Sequence, residues 1–391
     1  MNDMSGDRSA ARRPTDRPSA DELDQMIAAV LTRIDRALPQ LADRFPAPSS
    51  IDGKYPDIDN DEWTNGFWTG MLWLAWEHSF AGRHRTAAEA QVASFVQRLT
   101  RRVNVDHHDL GFLYTLSACA AHRLTGSKAA RAAGIDAARL LLARFDPIAR
   151  VIQAWGDMND PAQRGRMIID CNLNLPLLYW AANETGEQDF RDAANAHLDR
   201  AAEFLVRPDG STFHTFHIDT ESGLPRGGST HQGFSDDSCW SRGQAWGIYG
   251  FALGFRHNGD SGLLQISAKL ADYFLERLPQ DGICCWDLVF TDDGAQRDSS
   301  AAAIAACGLL ELAAALPLSH PARSTYEERS WAIVRRLHDA YLAPLEGSNA
   351  VLAHAVYHMP NGVGVDESCI WGDYFYFEAL TRLRRAWLPY W

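Results

Sequence analysis

Apolar side chains recur at intervals of three and four residues along most of the chain, the spacing that places them on one face of a helix. Roughly twelve such segments are separated by loops rich in Gly, Pro and Asp, and the alternation that indicates a strand is almost absent. The pattern therefore predicts an all-α protein. The predicted helices cover residues 21–43, 64–80, 84–102, 109–124, 128–144, 170–185, 187–206, 240–257, 260–278, 298–315, 322–342 and 372–387.

Short links indicate that many consecutive helices fold back on each other as hairpins. These links are 125–127, Gly186 and 257–259. Side chains suited to cap the following helices are Ser127, Asp298 and Ser324. A single hairpin cannot bury its faces alone, so six hairpins closing into a ring would form an (α/α)6 barrel. An open helical solenoid would instead show a regular sequence period, and none is visible.

The other connections are long, and they carry Trp, His, Asp and Arg. They cover residues 146–169, 207–239, 279–297 and 343–371. Binding and catalytic residues concentrate in loops held by a rigid scaffold, so we expect the functional site among these connections. Residues 21–391 are predicted to form one barrel domain after a flexible tail at residues 1–20.

Composition narrows the class of protein. With 46% hydrophobic and 22% charged residues, the chain has enough apolar material for a large core. A formal net charge of −13 argues against a nucleic-acid or membrane-surface binder, because such proteins need basic patches. No apolar run suggests a membrane span, and the first twenty residues lack a signal-peptide pattern. We therefore expect a cytoplasmic protein, as a monomer or a small homo-oligomer.

The seven cysteines are scattered and show no paired spacing for zinc. They are predicted to be reduced and mostly buried. Cys171 stands beside Asp170, but an apolar-flanked cysteine is more often a packing residue than a nucleophile. His107 and His108 do not indicate a metal site, because adjacent side chains diverge and no third ligand is suitably spaced.

Two aspartates occupy similar positions on different hairpins. Asp109 begins a predicted helix, and Asp170 follows an apolar run directly before another. Either one alone is well explained as a helix cap. Together, at the starts of two inner helices, they would converge at one mouth of the barrel. Paired carboxylates are the usual equipment for cleaving glycosides.

The aromatic content agrees with a carbohydrate ligand. The chain has 13 Trp and 11 Tyr, and aromatic faces offer sugars a flat apolar surface. Most helical tryptophans are expected in the core. Trp155 differs because it lies in a loop at a turn signal upstream of Asp170, where stacking on a sugar is the better use of its ring.

Five motifs in order resemble the unsaturated glucuronyl hydrolases of glycoside hydrolase family 88. They are Trp63-Thr64-Asn65-Gly66-Phe67-Trp68, His108-Asp109-Leu110-Gly111-Phe112, Ile169-Asp170 through Asn174-Leu175-Pro176, Ser241-Arg242-Gly243-Gln244-Ala245-Trp246, and Trp371-Gly372-Asp373-Tyr374. The resemblance covers most of the chain outside residues 1–20. It implies an (α/α)6 barrel with neither a metal nor an organic cofactor.

The resemblance also assigns roles to residues. It implies that Asp170 is the catalytic aspartate and that Asp109 assists it. The substrate-contacting positions that it implies are Trp63, His108, Trp155, His214, Gln232, Arg242, Trp246 and Ser368. Arg242 precedes Trp246 by four residues, so the two are expected on one helix face, with a cation beside a stacking ring.

The implied reaction hydrates the C4=C5 double bond of an unsaturated uronic acid at the non-reducing end of a lyase-generated oligosaccharide. Asp170 would have to hold a proton at neutral pH, although a free Asp has a pKa of about 3.9. Burial and the nearby charge of Asp109 would both raise the pKa of Asp170. Asp109 would orient the sugar and tune Asp170 instead of acting as a nucleophile.

Two other enzymes remain open. An unsaturated galacturonyl hydrolase acting on rhamnogalacturonan fragments would share the barrel and the chemistry. A sugar epimerase of the same barrel class would use histidines, of which this chain has 14, but it would leave the paired aspartates unexplained. Residues 350–370 contain no Lys or Arg, which favours an unsulfated sugar after the cleaved bond.

Overall fold

The computed structural model describes residues 17–161 and 163–391. The helices are α1 (Ala20–Leu41), α2 (Asn65–Ser79), α3 (Gly82–Arg101), α4 (Leu110–Tyr114), α5 (Ala120–Thr125), α6 (Lys128–Leu142), α7 (Pro176–Thr185), α8 (Gln188–Phe204), α9 (Ser241–Asn258), α10 (Ser261–Glu276), α11 (Ser299–Ala315), α12 (Pro321–Ala340) and α13 (Ile370–Arg384). A π-helical turn, Thr115–Cys119, joins α4 to α5, so these helices form twelve rods in the described chain.

The rods form two concentric rings. The inner ring runs through α2, α4–α5, α7, α9, α11 and α13, and α13 packs back against α2 to close it. Inner helices are buried all round, as in α11, where every residue from Ser299 to Leu309 is buried. Outer helices such as α10 bury one face only. The predicted (α/α)6 barrel is therefore confirmed.

All strands lie in connections from an outer helix to the next inner helix, and they form small antiparallel sheets. They are β1 (Phe45–Pro46), β2 (Asp57–Ile58), β3 (Phe145–Asp146), β4 (Val151–Ile152), β5 (Arg166–Ile168), β6 (Thr215–Ile218), β7 (Pro225–Ser229), β8 (Ala355–His358) and β9 (Val363–Glu367). The pairs are β1 with β2, β3 with β4, β5 with β6 with β7, and β8 with β9. These connections share one end of the barrel, where the inner helices begin.

The helix ends agree with most of the predicted signals. Ser127 caps α6 by accepting a hydrogen bond from a backbone N–H, and Asp298 caps α11 in the same way. The cap predicted at Ser324 is wrong, because α12 begins at Pro321 and His320 is its cap. Proline suits the first helical turn since it lacks the N–H that would be unpaired there.

The first helix of the described chain, α1, begins at Ala20. Residues 1–16 of the predicted tail lie outside the described residues. Ser19 caps α1 with a reciprocal bond to Glu22, so this helix starts at the end of the predicted tail.

All seven cysteines are free and buried, as predicted. None of the helices in the described ranges is long and apolar enough to cross a membrane.

Candidate active site

The starts of α4 and α7 meet at the mouth of the barrel. Asp109 precedes α4, and Asp170 lies in the 3-10 turn Ile169–Leu173 ahead of α7. Asn174 ties the two turns together: its Oδ1 accepts from the backbone N–H of Phe112 at 2.8 Å, and its Nδ2 donates to the carbonyl oxygen of Asp170 at 3.3 Å. Gly111 permits this approach, because a Cβ there would lie 2.3 Å from the Cα of Asn174.

His108 stands between the two carboxylates. Its Nε2 lies 3.4 Å from Oδ1 of Asp109 and 3.4 Å from Oδ1 of Asp170. The carboxylate side chains are 16% and 15% exposed, so both can still meet a ligand at the barrel mouth. Within the described part of the chain, these three side chains are also the group whose potential metal-ligand atoms lie within 4.8 Å of one another. They could hold a cation, or a proton shared between two carboxylates.

The two aspartates have opposite pKa shifts. Burial raises the pKa of Asp170 well above its ordinary value, and the charge of Asp109 raises it further. Burial acts in the same direction on Asp109, but His108 and His107 outweigh it and hold the pKa of Asp109 below its ordinary value. Burial lowers the pKa of His108 to about 4. The shifts therefore favour a proton on Asp170 over one on Asp109, beside a His108 ring that is neutral at pH 7.

Arg242 lies in the first turn of α9 and is almost fully buried. One terminal nitrogen donates to Oδ2 of Asp298 at 3.2 Å, and side-chain exposures of 2% and 0% make this a buried ion pair. The other donates to the carbonyl oxygen of Tyr357 at 2.7 Å and to Oε1 of Gln232. The charge of Arg242 is thus balanced inside the protein, and its guanidinium positions Gln232 and β8.

The predicted pairing of Arg242 with Trp246 is wrong. The guanidinium lies over two other rings, at 4.3 Å from the centroid of Trp240 and 4.9 Å from that of Trp371. Trp246 is 1% exposed and packs against Phe112 and Phe375 in the core. Although residues four apart share a helix face, the Arg242 side chain is drawn towards Asp298.

Two other tryptophans border the mouth. Trp63 is partly buried and stacks on Trp371 with ring centroids 5.2 Å apart. Its indole N–H donates to the hydroxyl oxygen of Tyr357 at 3.1 Å. Trp155 is 37% exposed, with the Arg166 guanidinium 5.0 Å from its ring centroid. Both indoles leave surface available to a ligand, as the sequence predicts for Trp155.

A cavity of about 650 Å³ opens beside Asp109. Trp63, His107 and Asp109 line it, together with Arg102 and Arg144 from neighbouring elements. Asp109 lines this cavity and Asp170 does not, so the cavity adjoins the carboxylate site on the side of Asp109.

His214 is buried, and its carbonyl oxygen accepts the backbone N–H of Ile169, the residue before Asp170, at 3.2 Å. Its Nδ1 accepts from the backbone N–H of His231 at 3.2 Å, so the neutral ring carries its proton on Nε2. Burial lowers the pKa of His214 well below its ordinary value. His231 in turn contacts the ring of His358 at 4.9 Å between centroids. These histidines therefore offer neutral N–H donors to a ligand.

His358 and Asp298 belong to the site, although neither was predicted from the sequence as a site residue. His358 ends β8 in a long loop, and a histidine in such a loop is the only signal that could have indicated it. Asp298 was predicted as a helix cap alone, yet it also holds Arg242. Ser368 was predicted to contact substrate; it is buried, and its backbone N–H donates to Oγ of Ser50 at 2.8 Å.

Sequence comparison finds a family and close relatives. The profile of Glycosyl Hydrolase Family 88 matches residues 34–316. An unsaturated chondroitin disaccharide hydrolase of Streptococcus pneumoniae (strain ATCC BAA-255 / R6) is 44% identical over 95% of this chain and 94% of that protein. An unsaturated glucuronyl hydrolase of Bacillus sp. (strain GL1) is 46% identical over 94% of this chain and 98% of that protein.

Solved structures match over the same extent. The crystal structure of an unsaturated glucuronyl hydrolase from Streptococcus agalactiae superposes with a TM-score of 0.94 at 41% identity, covering 96% of this chain and 95% of that one. A mutant of the enzyme from that species, complexed with dGlcA-GalNAc6S, superposes with a TM-score of 0.85 at 39% identity, covering 95% and 94%.

Proposed function

The chain belongs to glycoside hydrolase family 88, and we propose that it removes a 4,5-unsaturated glucuronic acid from the non-reducing end of oligosaccharides produced by polysaccharide lyases. The proposal rests on one feature above all: Asp170, whose pKa is raised well above its ordinary value by burial and by the charge of Asp109, lies across His108 from Asp109, whose pKa is lowered. An acid that keeps its proton at neutral pH is what protonation of a carbon–carbon double bond requires.

Asp170 acts first as an acid and then as a base. Its proton forms a bond with C4 of the sugar, and C5 becomes electron-poor. Water adds at C5 and gives a proton back to the Asp170 carboxylate. The hemiketal formed at C5 then opens the ring, which leaves a hemiacetal at C1 that releases the second sugar as an alcohol. One water is consumed, and Asp170 ends protonated as it began.

Asp109 remains ionised and does not attack the sugar. Its negative charge disfavours ionisation of Asp170 and so keeps the acid loaded. It also offers an acceptor to a sugar hydroxyl at the mouth of the cavity. His108 separates the two carboxylates, with its Nε2 at 3.4 Å from an oxygen of each, and its lowered pKa of about 4 keeps the ring neutral at pH 7.

In this proposal, aromatic ring faces and uncharged hydrogen-bond donors bind the sugar. Trp63 and Trp155 provide partly exposed rings for stacking, and His214 provides an Nε2–H donor. Gln232 is oriented for contact by its bond with Arg242. In this assignment, Arg242 and Trp246 support the site from behind, and Ser368 anchors the last loop.

The sugar after the cleaved bond is proposed to be unsulfated. Among residues 350–370 no Lys or Arg is available to meet a sulfate. We also place the chain in the cytoplasm, because seven buried free thiols fit a reducing compartment. An unsaturated galacturonyl substrate would use the same two aspartates, so only direct assay separates the two sugars.

The test is an ultraviolet assay of the conjugated double bond. Purified protein is mixed with unsaturated disaccharides from hyaluronan, chondroitin, heparin, ulvan and rhamnogalacturonan digests, each at the same concentration. Rapid loss of absorbance on glucuronyl substrates, fastest without sulfate, is the expected result. Loss confined to the rhamnogalacturonan product would identify the galacturonyl enzyme, and no loss with folded protein would reject vinyl-ether hydration.

A further inference from the structure

His197 is a fully buried histidine on the outer helix α8, outside the set of residues assigned to the reaction. Its Nδ1 accepts the backbone N–H of Ile152 at 2.9 Å. A ring nitrogen that accepts a hydrogen bond carries no proton, so the neutral ring bears its proton on Nε2. Burial lowers the pKa of His197 to about 3, which keeps the ring neutral. His197 therefore has one N–H donor that points away from Ile152.

His108 has the complementary atom. Its Nε2 faces the carboxylates of Asp109 and Asp170, and a neighbouring carboxylate favours the tautomer with the proton on Nε2 and the lone pair on Nδ1. Nε2 of His197 and Nδ1 of His108 are both buried, and neither has a hydrogen-bond partner within residues 17–161 and 163–391. A buried polar atom without a partner is costly, and here one atom is a donor and the other an acceptor.

One extended segment brings the two histidines together. Gln153 donates its backbone N–H to Arg144 and faces β3, so its neighbours Ile152 and Ala154 face the opposite edge. Along that edge, Ile152 binds the ring of His197, and the carbonyl oxygen of Ala154 accepts the N–H of His108 at 2.8 Å. These two attachment points are about 6.6 Å apart along a strand. The charge of a protonated His108 would also be felt by His197.

We propose that His197 is a positioning residue that donates, through one buried water, to Nδ1 of His108. A single water bridging two buried polar atoms is a common feature of protein interiors. The bridge would exclude a proton from Nδ1 of His108 and hold its Nε2–H towards the ionised Asp109, so that His108 cannot take up the proton of Asp170. The proton of the site would then stay on Asp170, where the proposed hydration reaction needs it. The catalytic consequence rests on the proposed function, whereas the state of the His108 ring does not.

Two conservative substitutions separate the two bonds of His197. In His197→Gln, the amide nitrogen takes the place of Nε2, so the donor towards His108 is kept and the acceptor for Ile152 is lost. In His197→Asn, the amide oxygen takes the place of Nδ1, so the acceptor is kept and the donor is lost. We expect kcat to fall at least about fivefold in His197→Asn, with KM unchanged, and to fall by less in His197→Gln.

A purely structural role predicts the reverse order, because support of Ile152 would then decide the outcome. Equal kcat values in the two folded variants, or the lower kcat in His197→Gln, would overturn the proposal. Thermal unfolding of both variants shows whether they are folded.

The second measurement does not depend on turnover. In protein labelled with ¹⁵N-histidine, the long-range ¹H–¹⁵N spectrum reports which nitrogen of each ring is protonated, and His108→Gln identifies the signals of His108. We expect wild-type His108 to be neutral with its proton on Nε2, and Nδ1 to gain a proton in His197→Asn. A wild-type ring protonated on Nδ1 would overturn the proposal even if every disaccharide assay failed.

Discussion

The carboxylates of Asp109 and Asp170 approach the same nitrogen of His108 at equal distances of 3.4 Å, although the two aspartates belong to different helical hairpins. Neither carboxylate forms an ion pair with a lysine or arginine of the described chain, and Asp109 has a second histidine neighbour, because Nδ1 of His107 lies 3.3 Å from its Oδ2. Burial and the charge of Asp109 raise the pKa of Asp170, so a proton on the pair favours Asp170.

Replacing the acid should abolish turnover without unfolding the protein. Asp170→Asn keeps the shape of the side chain and cannot donate the proton, so we expect kcat to fall by about 10²–10⁴. The fall is measured as the rate of absorbance loss on an unsaturated disaccharide. Asp189→Asn changes an exposed aspartate on α8 in the same way and serves as the control. Near-normal turnover in Asp170→Asn would remove this residue from the mechanism.

Removing the charge of Asp109 should shift the pH dependence. Burial is the larger cause of the raised pKa of Asp170, and the charge of Asp109 adds to it. In Asp109→Asn, the pKa of Asp170 should fall but stay above its ordinary value. Since the acid works only when protonated, the alkaline limb of the kcat/KM profile should move to lower pH. An alkaline limb that stays in place would show that the charge of Asp109 does not act on the acid.

Arg242 is expected to affect stability as much as binding. Arg242→Ala leaves Asp298 buried without its partner, and breaking such a pair by removing one member costs about 3–5 kcal/mol. Denaturant unfolding gives the free energy directly, and Arg242→Met with Asp298→Asn should recover part of the loss. Unchanged unfolding together with a raised KM would instead assign Arg242 to direct contact with the substrate carboxylate.

Gly111 should be intolerant of a methyl group. In Gly111→Ala, the added Cβ would meet the backbone of Asn174, so the starts of α4 and α7 would have to separate. We expect a loss of about 1–3 kcal/mol in the free energy of unfolding and a lower kcat, because the two aspartates move with these turns. Gly82→Ala, where no atom lies within 4 Å of the new Cβ, is the matched control and should change neither quantity.

Alanine substitutions of Trp155 and Trp246 should change different quantities, KM for the first and the free energy of unfolding for the second. Trp155→Ala removes a partly exposed loop ring, so KM should rise about 2- to 10-fold while the free energy of unfolding changes by about 0.5 kcal/mol. Trp246→Ala removes a core ring between Phe112 and Phe375 and should cost about 3–5 kcal/mol. Kinetics and unfolding on both variants check the assignment. A stable Trp246→Ala with a raised KM would make that ring a direct sugar contact.

Local patterns in the sequence were sufficient for the scaffold. Periodic apolar residues predicted the twelve rods, and the turn residues Gly126, Gly186 and Gly259 predicted the hairpins, because each ends its helix in a left-handed conformation. The positions of Asp109 and Asp170 at helix starts also followed from the sequence. These features depend on neighbours within a few residues, which a single chain displays directly.

Tertiary structure alone decided how the side chains of the site are paired. Helical spacing placed Arg242 beside Trp246, but a buried Asp298 from the next inner helix draws the guanidinium away. No local pattern indicates that His358 contacts His231, or that His197 and His108 are bonded to the same extended segment, at Ile152 and Ala154. The physical reason is that burial and electrostatic pairing depend on distances between residues far apart in the chain, which local periodicity does not encode.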